Sequence, residues 1–349
     1  MTATWPTCVI DRLRRAIALH FDPSGGSPHW LGVQQRLGLD VRAVVRSPED
    51  LAVLGPMDEA ALAARPVEEF IPAAMLDRRA EMIVAETAGT LGAPKFAVHR
   101  RDEFEQAFVA PFVAAAERAG FPRGPNWLFI GPSGPHVIGK AARRCAEAFG
   151  SPDPFAVDLD PRWAKKLPAG SFALGRYSRH VLDQALAVAS VQEIGVIFAT
   201  PVLLAALGPL MPAEQRQRVR ALHLGGLAVS AEQRAGFAEH FPNALIISGF
   251  GNTLFGMMPE LAYDPARGIE YFPHGGRLVA QVVEDPGGAE SPHLGRTVDY
   301  GARGRLVLHR FDEMQLIVNM IERDSAVRVA PPADAAVAGF VLDGIGDPQ

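Results

Sequence analysis

A loop of glycine, threonine and lysine lies between two short apolar stretches, and its residue types suit the binding of phosphate. Residues 87–95 include two Gly, two Thr and one Lys. Gly lets backbone N–H groups approach an anion closely, Thr hydroxyls donate hydrogen bonds, and the Lys ammonium supplies positive charge. The flanking residues 82–85 and 96–99 are predicted to form short buried strands. An alternative interpretation is a β-hairpin with a Gly/Pro turn and no ligand.

The same loop resembles a signature of the ANL superfamily of adenylate-forming enzymes, which includes the acyl-CoA ligases. The signature reads Thr-Ser-Gly-Thr-Thr-Gly-x-Pro-Lys, and six of its eight specified positions agree. The agreeing residues are Thr87, Gly89, Thr90, Gly92, Pro94 and Lys95. Ala88 and Leu91 replace a Ser and a Thr, so two hydroxyl donors are lost. The resemblance implies that Thr87, Gly89, Thr90, Gly92 and Lys95 hold the β- and γ-phosphates of ATP.

Three further stretches resemble family motifs in the expected order. Gly225-Gly226-Leu227 is similar to Gly-Gly-Glu, residues 250–254 are similar to Tyr-Gly-x-Thr-Glu, and Asp324 falls at the ribose-binding Asp. The resemblance implies that Phe250 stacks near adenine and that Thr253 contacts the α-phosphate. The implied nucleotide-binding residues in these stretches are Gly225, Gly226, Phe250, Gly251, Asn252, Thr253 and Asp324. Thr253 and Lys95 are the implied catalytic residues.

The resemblance also implies a pocket for a small carboxylic acid or its activated ester. Its expected lining is His136, Phe198, Gly249, Phe250 and Met257. His136 follows a Gly/Pro-rich loop, at a point where phenylacetate-CoA ligases carry an aromatic residue or a His. A helix-capping or surface His is the alternative.

The expected nucleotide is ATP or AMP, and the motif residues supply no metal ligand. Leu254 stands where the family has a Glu that assists Mg²⁺, and a hard cation needs oxygen ligands. Glu260 is a candidate substitute. We therefore expect Mg²⁺ to be at most a weakly required ion.

Alternating strand and helix signals position these motifs. Strands are predicted near residues 127–130, 194–199, 220–224 and 244–247, and helices near 102–120, 136–149 and 180–189. Thr200-Pro201 and the capping box from Ser230 to Gln233 mark two helix starts. Residues 151–179 lack periodicity and are predicted to form a connection. Short runs after Tyr271, separated by Gly/Pro turns, indicate antiparallel strands.

The alternation predicts an α/β fold. We expect a large adenylating-enzyme-type domain with mostly parallel sheets flanked by helices, plus a small antiparallel β subdomain. The expected divisions are a helical segment over 1–80, an α/β core over 81–269, and a β-rich subdomain with a tail over 270–349. Phe104, Phe108 and Phe112 recur every four residues and predict a core-facing stripe. Ligands of such sheets bind at the carboxyl ends of parallel strands, where the motifs fall.

Composition excludes several classes of protein. The chain has 349 residues, is 48% hydrophobic and carries a formal charge of −5, so no general attraction to nucleic acid or anionic membrane is expected. Cys8 and Cys145 cannot make a disulfide framework or a Cys-based zinc site, which is typical of the cytoplasm. The sequence shows no signal peptide and no membrane-spanning run.

Family members normally continue into a small domain that supplies a catalytic Lys. Here 25 residues follow Asp324 and no Lys follows Lys166, so we expect this domain to be absent from the chain. The sequence leaves three functions open. The first is that of a ligase-like enzyme that activates a carboxylic acid as its acyl-adenylate, in the manner of acyl-CoA and acyl-protein synthetases. A second is an acyltransferase or cyclising enzyme that lost the ATP chemistry.

A third open function is a non-catalytic subunit that binds acyl groups or nucleotide. The expected partners are a small acid and, beyond it, a carrier protein or a protein that supplies the missing domain. A hydrolytic Ser-His-Asp triad is not expected, because no Gly-x-Ser-x-Gly elbow occurs.

Overall fold

The computed structural model describes residues 5–87, 89, 92–287 and 291–349. Its helices are α1 (Thr7–His20), α2 (Pro28–Leu37), α3 (Val41–Val44), α4 (Glu59–Ala64), α5 (Arg101–Phe104), α6 (Ala110–Ala119), α7 (Val137–Ala148), α8 (Pro161–Lys166), α9 (Phe172–Val191), α10 (Pro201–Leu207), α11 (Ala213–Arg218) and α12 (Ala231–His240). A π-helical turn (Glu105–Val109) joins α5 to α6. Short 3₁₀ helices are Pro48–Leu54, Val67–Phe70, Ala73–Glu81, Gly208–Leu210 and Ala333–Ala338.

The strands are β1 (Met82–Glu86), β2 (Phe96–Arg100), β3 (Asn126–Gly131), β4 (Phe155–Asp158), β5 (Ile194–Ala199), β6 (Ala221–Leu224), β7 (Leu245–Asn252), β8 (Gly256–Asp264), β9 (Gly268–Tyr271), β10 (Leu278–Val283), β11 (Arg303–Phe311), β12 (Leu316–Val329) and β13 (Gly344–Gly346). Eleven of them form one sheet in the order β10-β11-β12-β13-β9-β8-β7-β6-β5-β3-β4. Strands β1 and β2 form a separate two-stranded sheet.

The large sheet has a parallel half and an antiparallel half. Strands β4, β3, β5, β6 and β7 pair in parallel, and the pairings from β7 to β10 are antiparallel. Strand β7 belongs to both halves, because it pairs with β6 on one side and β8 on the other. The predicted α/β fold class is confirmed. The antiparallel strands begin at Gly256 and are hydrogen-bonded to the parallel ones without a break.

Helices cover both faces of the parallel half, which is the usual arrangement for buried parallel strands. Phe104, Phe108 and Phe112 pack with Trp127 and Phe198 in the core on one face, so the predicted apolar stripe is confirmed. Helices α9, α10 and α12 cover the opposite face. None of the helices in the described ranges has the length and apolarity that a membrane span requires.

The N-terminal helices pack on the antiparallel half. Their apolar residues share one core with strands β8 to β13. Two polar contacts fix this packing: His20 Nε2 lies 3.1 Å from the Asp312 carbonyl oxygen, and Trp30 Nε1 donates to the Leu316 carbonyl oxygen at 3.1 Å. The first eighty residues are therefore held by strands from the other end of the chain.

Local capping signals account for several helix boundaries. Thr200 Oγ1 accepts from Leu203 N at the start of α10, and the predicted capping box opens α12. The prediction of a bare connection over residues 151–179 is wrong, because this stretch contains β4, α8 and the start of α9. Asp160 caps α8, and Ser171 caps α9 well before the predicted start at residue 180. These two caps were overlooked because the segment shows no hydrophobic period.

Candidate functional site

The predicted phosphate loop connects β1 and β2, which pair as an antiparallel hairpin. Thr87 N donates to the Lys95 carbonyl oxygen, and Lys95 N donates to Thr87 Oγ1, each at 2.9 Å. Gly89 has a φ of 57°, and a Cβ there would lie 3.0 Å from the Gly92 carbonyl oxygen, so this turn requires glycine. Thr90 lies outside the described residues. These contacts fix the position of the Lys95 backbone.

The hairpin lies beside the carboxyl end of β3. Glu86 N donates at 3.1 Å to the carbonyl oxygen of Pro135, in the loop that follows β3. The prediction of a buried strand is wrong for β1, where only Ala85 is buried, because the hairpin is outside the large sheet. The predicted phosphate loop therefore lies at the edge of the sheet where ligands of parallel strands bind.

The Lys95 ammonium forms an ion pair with a residue of the N-terminal segment. Lys95 Nζ lies 2.6 Å from Glu59 Oε2, at the start of α4. Sequence reasoning did not identify Glu59, because no local signal relates it to the loop. A phosphate at Lys95 would compete with this carboxylate.

A second carboxylate, that of Glu322, interacts electrostatically with Lys95. Burial raises the pKa of Glu322, and the carboxylates of Asp324 and Glu59 raise it further, whereas Lys95 lowers it. Asp324, the predicted ribose ligand, follows Glu322 by two residues on β12. Glu59, Glu322 and Asp324 therefore form an acidic group, which interacts with the Lys95 ammonium through Glu59 and Glu322.

The turn that carries Thr253 joins β7 to β8. Asn252 Oδ1 accepts from Leu254 N at 2.9 Å and from Phe255 N at 3.2 Å, while Asn252 Nδ2 donates to Glu322 Oε1 at 3.1 Å. Asn252 thus fixes the turn and joins it to the acidic group. Phe250 packs against Tyr271, with ring centroids 5.9 Å apart.

The motif residues do not provide a magnesium site of the kind seen in the family. Leu254 is buried in the apolar core of the antiparallel half. Glu260, the candidate substitute, forms an ion pair with Arg234 at 2.7 Å and accepts from Ser248 N and Oγ. Glu260 is therefore occupied by protein partners and is not free to bind a cation.

One row of buried side chains, called the floor row below, includes Phe198 of the predicted acid pocket. The strand register aligns Phe129, Phe198, His223 and Ile247 on one face of the parallel half. His223 packs against Phe198, with ring centroids 4.1 Å apart, and its Nδ1 is buried without a hydrogen-bond partner among the described residues. Burial lowers the pKa of His223 to about 3, so the imidazole is neutral. His223 is a polar group that sequence reasoning missed, although it precedes Gly225 by only two residues.

Glycines occupy the next row toward the carboxyl ends. Gly131 ends β3, Gly225 directly follows β6, and Gly249 lies in β7. A Cβ at Gly225 would lie 3.6 Å from Phe198, and one at Gly249 would lie 2.8 Å from the Met257 Cε. The Met257 side chain therefore packs over Gly249. Phe198, Gly249 and Met257, all predicted pocket residues, are neighbours here.

His136 is buried at the N-cap position of α7, and its Nε2 has no hydrogen-bond partner in the described structure. Its side chain makes no capping bond. Burial lowers the pKa of His136, and the Arg162 guanidinium lowers it further. Arg162 pairs with Glu86 at 3.0 Å, next to the phosphate loop. His136 thus lies near the phosphate hairpin and the carboxyl end of β3, and its role in a pocket stays a prediction.

The predicted site residues converge from several parts of the chain. His99, four residues after Lys95, contacts the Thr253 carbonyl oxygen, and Asn252 contacts the strand that carries Asp324. Gly225 and Gly226 directly follow β6, and Gly226 has a φ of 82°, a conformation that favours glycine. Gly251 allows β8 to approach closely, since its Cβ would overlap the Gly256 carbonyl oxygen.

Solved structures of a CoA ligase have a similar backbone. Against an open conformation of 2-hydroxyisobutyryl-CoA ligase in complex with 2-HIB-AMP and CoA, the TM-score is 0.64 at 14% sequence identity, over 97% of this chain and 67% of that chain. Against its postadenylation state with R3-HIB-AMP, the TM-score is 0.65 at 13% identity, over 97% and 65%. No family model and no curated protein matches the sequence.

The likeness shows the fold. This chain has the fold of that CoA ligase. It spans about two thirds of the length of the ligase chains that it matches.

Proposed function

We propose that the chain binds an adenine nucleotide and a small carboxylic acid at the carboxyl edge of its parallel strands, and that it forms or uses an acyl-adenylate. One observation carries the proposal: segments far apart in sequence, each resembling a family motif, meet at this edge. The Thr253 carbonyl oxygen lies 3.0 Å from His99 Nε2, and Asn252 donates to Glu322 at 3.1 Å. The shared fold supports it.

The roles that we propose follow from the chemistry of each group. Lys95 and the N–H groups of Gly89 and Gly92 offset the charge of the outer phosphates. The Thr253 hydroxyl donates to the α-phosphate, Phe250 lies against adenine, and Asp324 accepts from the ribose hydroxyls. Donors fixed in advance stabilise developing charge without reorganising during the reaction.

The reaction that suits this arrangement is attack of a carboxylate oxygen on the α-phosphorus. The new bond is an acyl–phosphate bond, and the bond to pyrophosphate breaks. Negative charge grows on the α-phosphate oxygens during attack, beside Thr253. The aromatic floor around Phe198 would hold the acyl group, since it is buried and almost wholly apolar apart from His223. The donor set around Leu254 does not fit Mg²⁺, so no role is assigned to that ion.

The test is ATP–pyrophosphate exchange by the purified chain with a panel of small aryl and alkyl carboxylic acids. We expect exchange with at least one acid and a loss of about tenfold or more in Lys95→Ala, because a charged contact to phosphate is removed. Lys166→Ala changes an exposed Lys and is the matched control. Failure of every acid, together with no thermal shift by AMP or ATP, would contradict the proposal.

A second candidate is an acyltransferase or cyclising enzyme that keeps the acyl pocket without ATP chemistry. Glu59 favours it, because the carboxylate that pairs with Lys95 would repel a triphosphate there. Calorimetry with the acid panel distinguishes the two. Binding of an acid by a chain that binds neither AMP nor ATP would select the second candidate.

A further inference from the structure

Three consecutive carbonyl groups of the Thr253 turn are bound by three buried side chains. The Thr253 carbonyl oxygen lies 3.0 Å from His99 Nε2, the Leu254 carbonyl oxygen accepts from Arg310 Nη1 at 2.9 Å, and the Phe255 carbonyl oxygen accepts from Arg277 Nη1. The donors come from β2, from β11 and from the residue before β10. An ordinary exposed turn leaves such carbonyl groups to water.

One carboxylate holds the two arginines in place. Asp312 Oδ2 accepts from Arg310 Nε at 2.6 Å and from Arg277 Nη2 at 2.7 Å. All three side chains are at most 3% exposed. Burial acts to raise the pKa of Asp312, but the two guanidinium groups outweigh it and lower the pKa, so the carboxylate is charged.

The same network binds the strand that follows the phosphate loop. Arg310 Nη2 donates to the Val98 carbonyl oxygen, and Val98 N donates to Gln315 Oε1 at 2.9 Å. Residue 98 is three positions after Lys95. The backbone of the phosphate hairpin and the backbone of the Thr253 turn are therefore fixed by one set of buried groups.

The His99 ring has one hydrogen-bonding arrangement that satisfies both nitrogens. Nδ1 lies 3.5 Å from Arg277 Nη2, which can only donate, so Nδ1 accepts. Nε2 therefore carries the hydrogen and donates to the Thr253 carbonyl oxygen. Phe108, on the π-helical turn, packs against the ring at 5.5 Å. Gly256 packs on the same turn, since a Cβ there would lie 2.5 Å from the Ala107 carbonyl oxygen. The wide π-turn thus supports both His99 and the end of the Thr253 turn.

We propose that His99 is a positioning residue that sets the distance between the Thr253 turn and the phosphate hairpin, with Arg277 and Arg310 holding the neighbouring carbonyl groups. The effect of His99 on nucleotide binding rests on the proposed function. His99 itself would touch no substrate. Its effect would pass to the α-phosphate through the Thr253 backbone.

The first experiment measures the clamp, which is the set of contacts from His99, Arg277 and Arg310 to the carbonyl groups of the Thr253 turn. It needs no ligand. Amide hydrogen exchange is compared for wild type, His99→Ala, His99→Gln and the exposed control His180→Ala. We expect His99→Ala to speed exchange by about tenfold in residues 252–256 and 96–98, with less change elsewhere. The Gln side chain carries an N–H donor, so His99→Gln restores part of the protection. Unchanged exchange in both segments would overturn the clamp.

The second experiment connects the clamp to the nucleotide. Affinities for AMP and for adenosine are measured in His99→Ala, Thr253→Val and the double variant. We expect His99→Ala to weaken AMP binding by about tenfold and adenosine binding by less than about twofold. It should have no further effect on AMP binding when Thr253 is already Val. Equal losses for AMP and adenosine, or additive losses in the double variant, would overturn the positioning role. If neither compound binds wild type, the proposed function fails and the exchange result still decides the clamp.

Discussion

The two halves of the large sheet bury different kinds of groups. In the parallel half, the floor row is aromatic and aliphatic except for His223, and helices cover both faces. In the antiparallel half, charged groups such as Arg310 and Asp312 lie at 0% exposure, and Arg310 binds the turn between β7 and β8. Apolar packing without directional bonds holds the floor row. Directional hydrogen bonds and ion pairs set the backbone around the nucleotide motifs.

The two halves should therefore differ in how much stability a substitution costs. In an apolar row, a hydrophobic substitution that conserves volume usually costs less than about 1.5 kcal/mol. In a buried charge network the cost is larger, because each removed partner leaves another charge unpaired. We therefore expect substitutions in the antiparallel half to cost more stability than comparable ones in the floor row.

The largest effect is expected for Arg310→Met. Removing this guanidinium leaves Asp312 with one partner and frees the Leu254 carbonyl oxygen, so the free energy of unfolding should fall by about 3–5 kcal/mol. Urea denaturation measures it. Arg267→Met removes an exposed ion pair from the same half and should cost at most about 1 kcal/mol. Equal costs would remove the distinction between the buried network and an ordinary surface pair.

A smaller effect is expected for His223→Phe, and it depends on pH. The pKa of His223 is about 3 in the folded chain and about 6.5 when unfolded, so acid favours the unfolded state between these values. The contribution of neutral His223 to stability is complete above pH 6.5 and is lost as pH falls toward 3. At pH 5 the loss is about 2 kcal/mol. The variant should therefore lose about 2 kcal/mol less than wild type between pH 7 and pH 5. Denaturant titration at both values checks this.

The exposed residue His180 provides the control for that experiment. His180→Phe should leave the pH dependence of stability as in wild type, because the His180 side chain is exposed and is not part of the buried core. A His223→Phe variant with the wild-type pH dependence would show that His223 is protonated inside the fold, and the floor row would no longer be the uncharged region.

The smallest effect is expected for Glu59→Gln. Removing the carboxylate frees Lys95 Nζ for phosphate, and partly exposed ion pairs are worth about 0.2–1 kcal/mol, so ATP affinity should rise by about 1.4- to fivefold. Glu69→Gln removes an exposed ion pair with Arg65 and should not change ATP affinity. Calorimetry measures both. Weaker ATP binding in Glu59→Gln would show that Glu59 supports the nucleotide instead of competing with it.

Local signals predicted most of the parallel half. Thr200 and Ser230 cap helices where their side chains indicated, and the apolar runs before them are strands, because these features depend on neighbouring residues. Strand β4 and helix α8 were missed. Strand β4 is short and lies at the sheet edge, and α8 has no buried residue, so neither shows a hydrophobic pattern.

The groups around the predicted motifs could not be found in this way. His99 and Thr253 are 154 residues apart, and Arg310 and Val98 are 212 apart. Charged residues such as Arg310 normally indicate surface, and only the surrounding fold explains their burial. The motif residues were predicted from resemblance, whereas the residues that hold them follow from the three-dimensional structure. Their roles in binding remain predictions.

The packing of the N-terminal helices on the antiparallel half has a consequence for biosynthesis. His20 and Trp30 find their partners at residues 312 and 316, so the first helices emerge from the ribosome long before their core exists. Contacts of such sequence separation form late and slow folding. The parallel strands between them can assemble earlier from nearer neighbours. A nascent chain should therefore expose the apolar faces of α1 and α2 until translation reaches β12, and chaperone contact should concentrate on that interval.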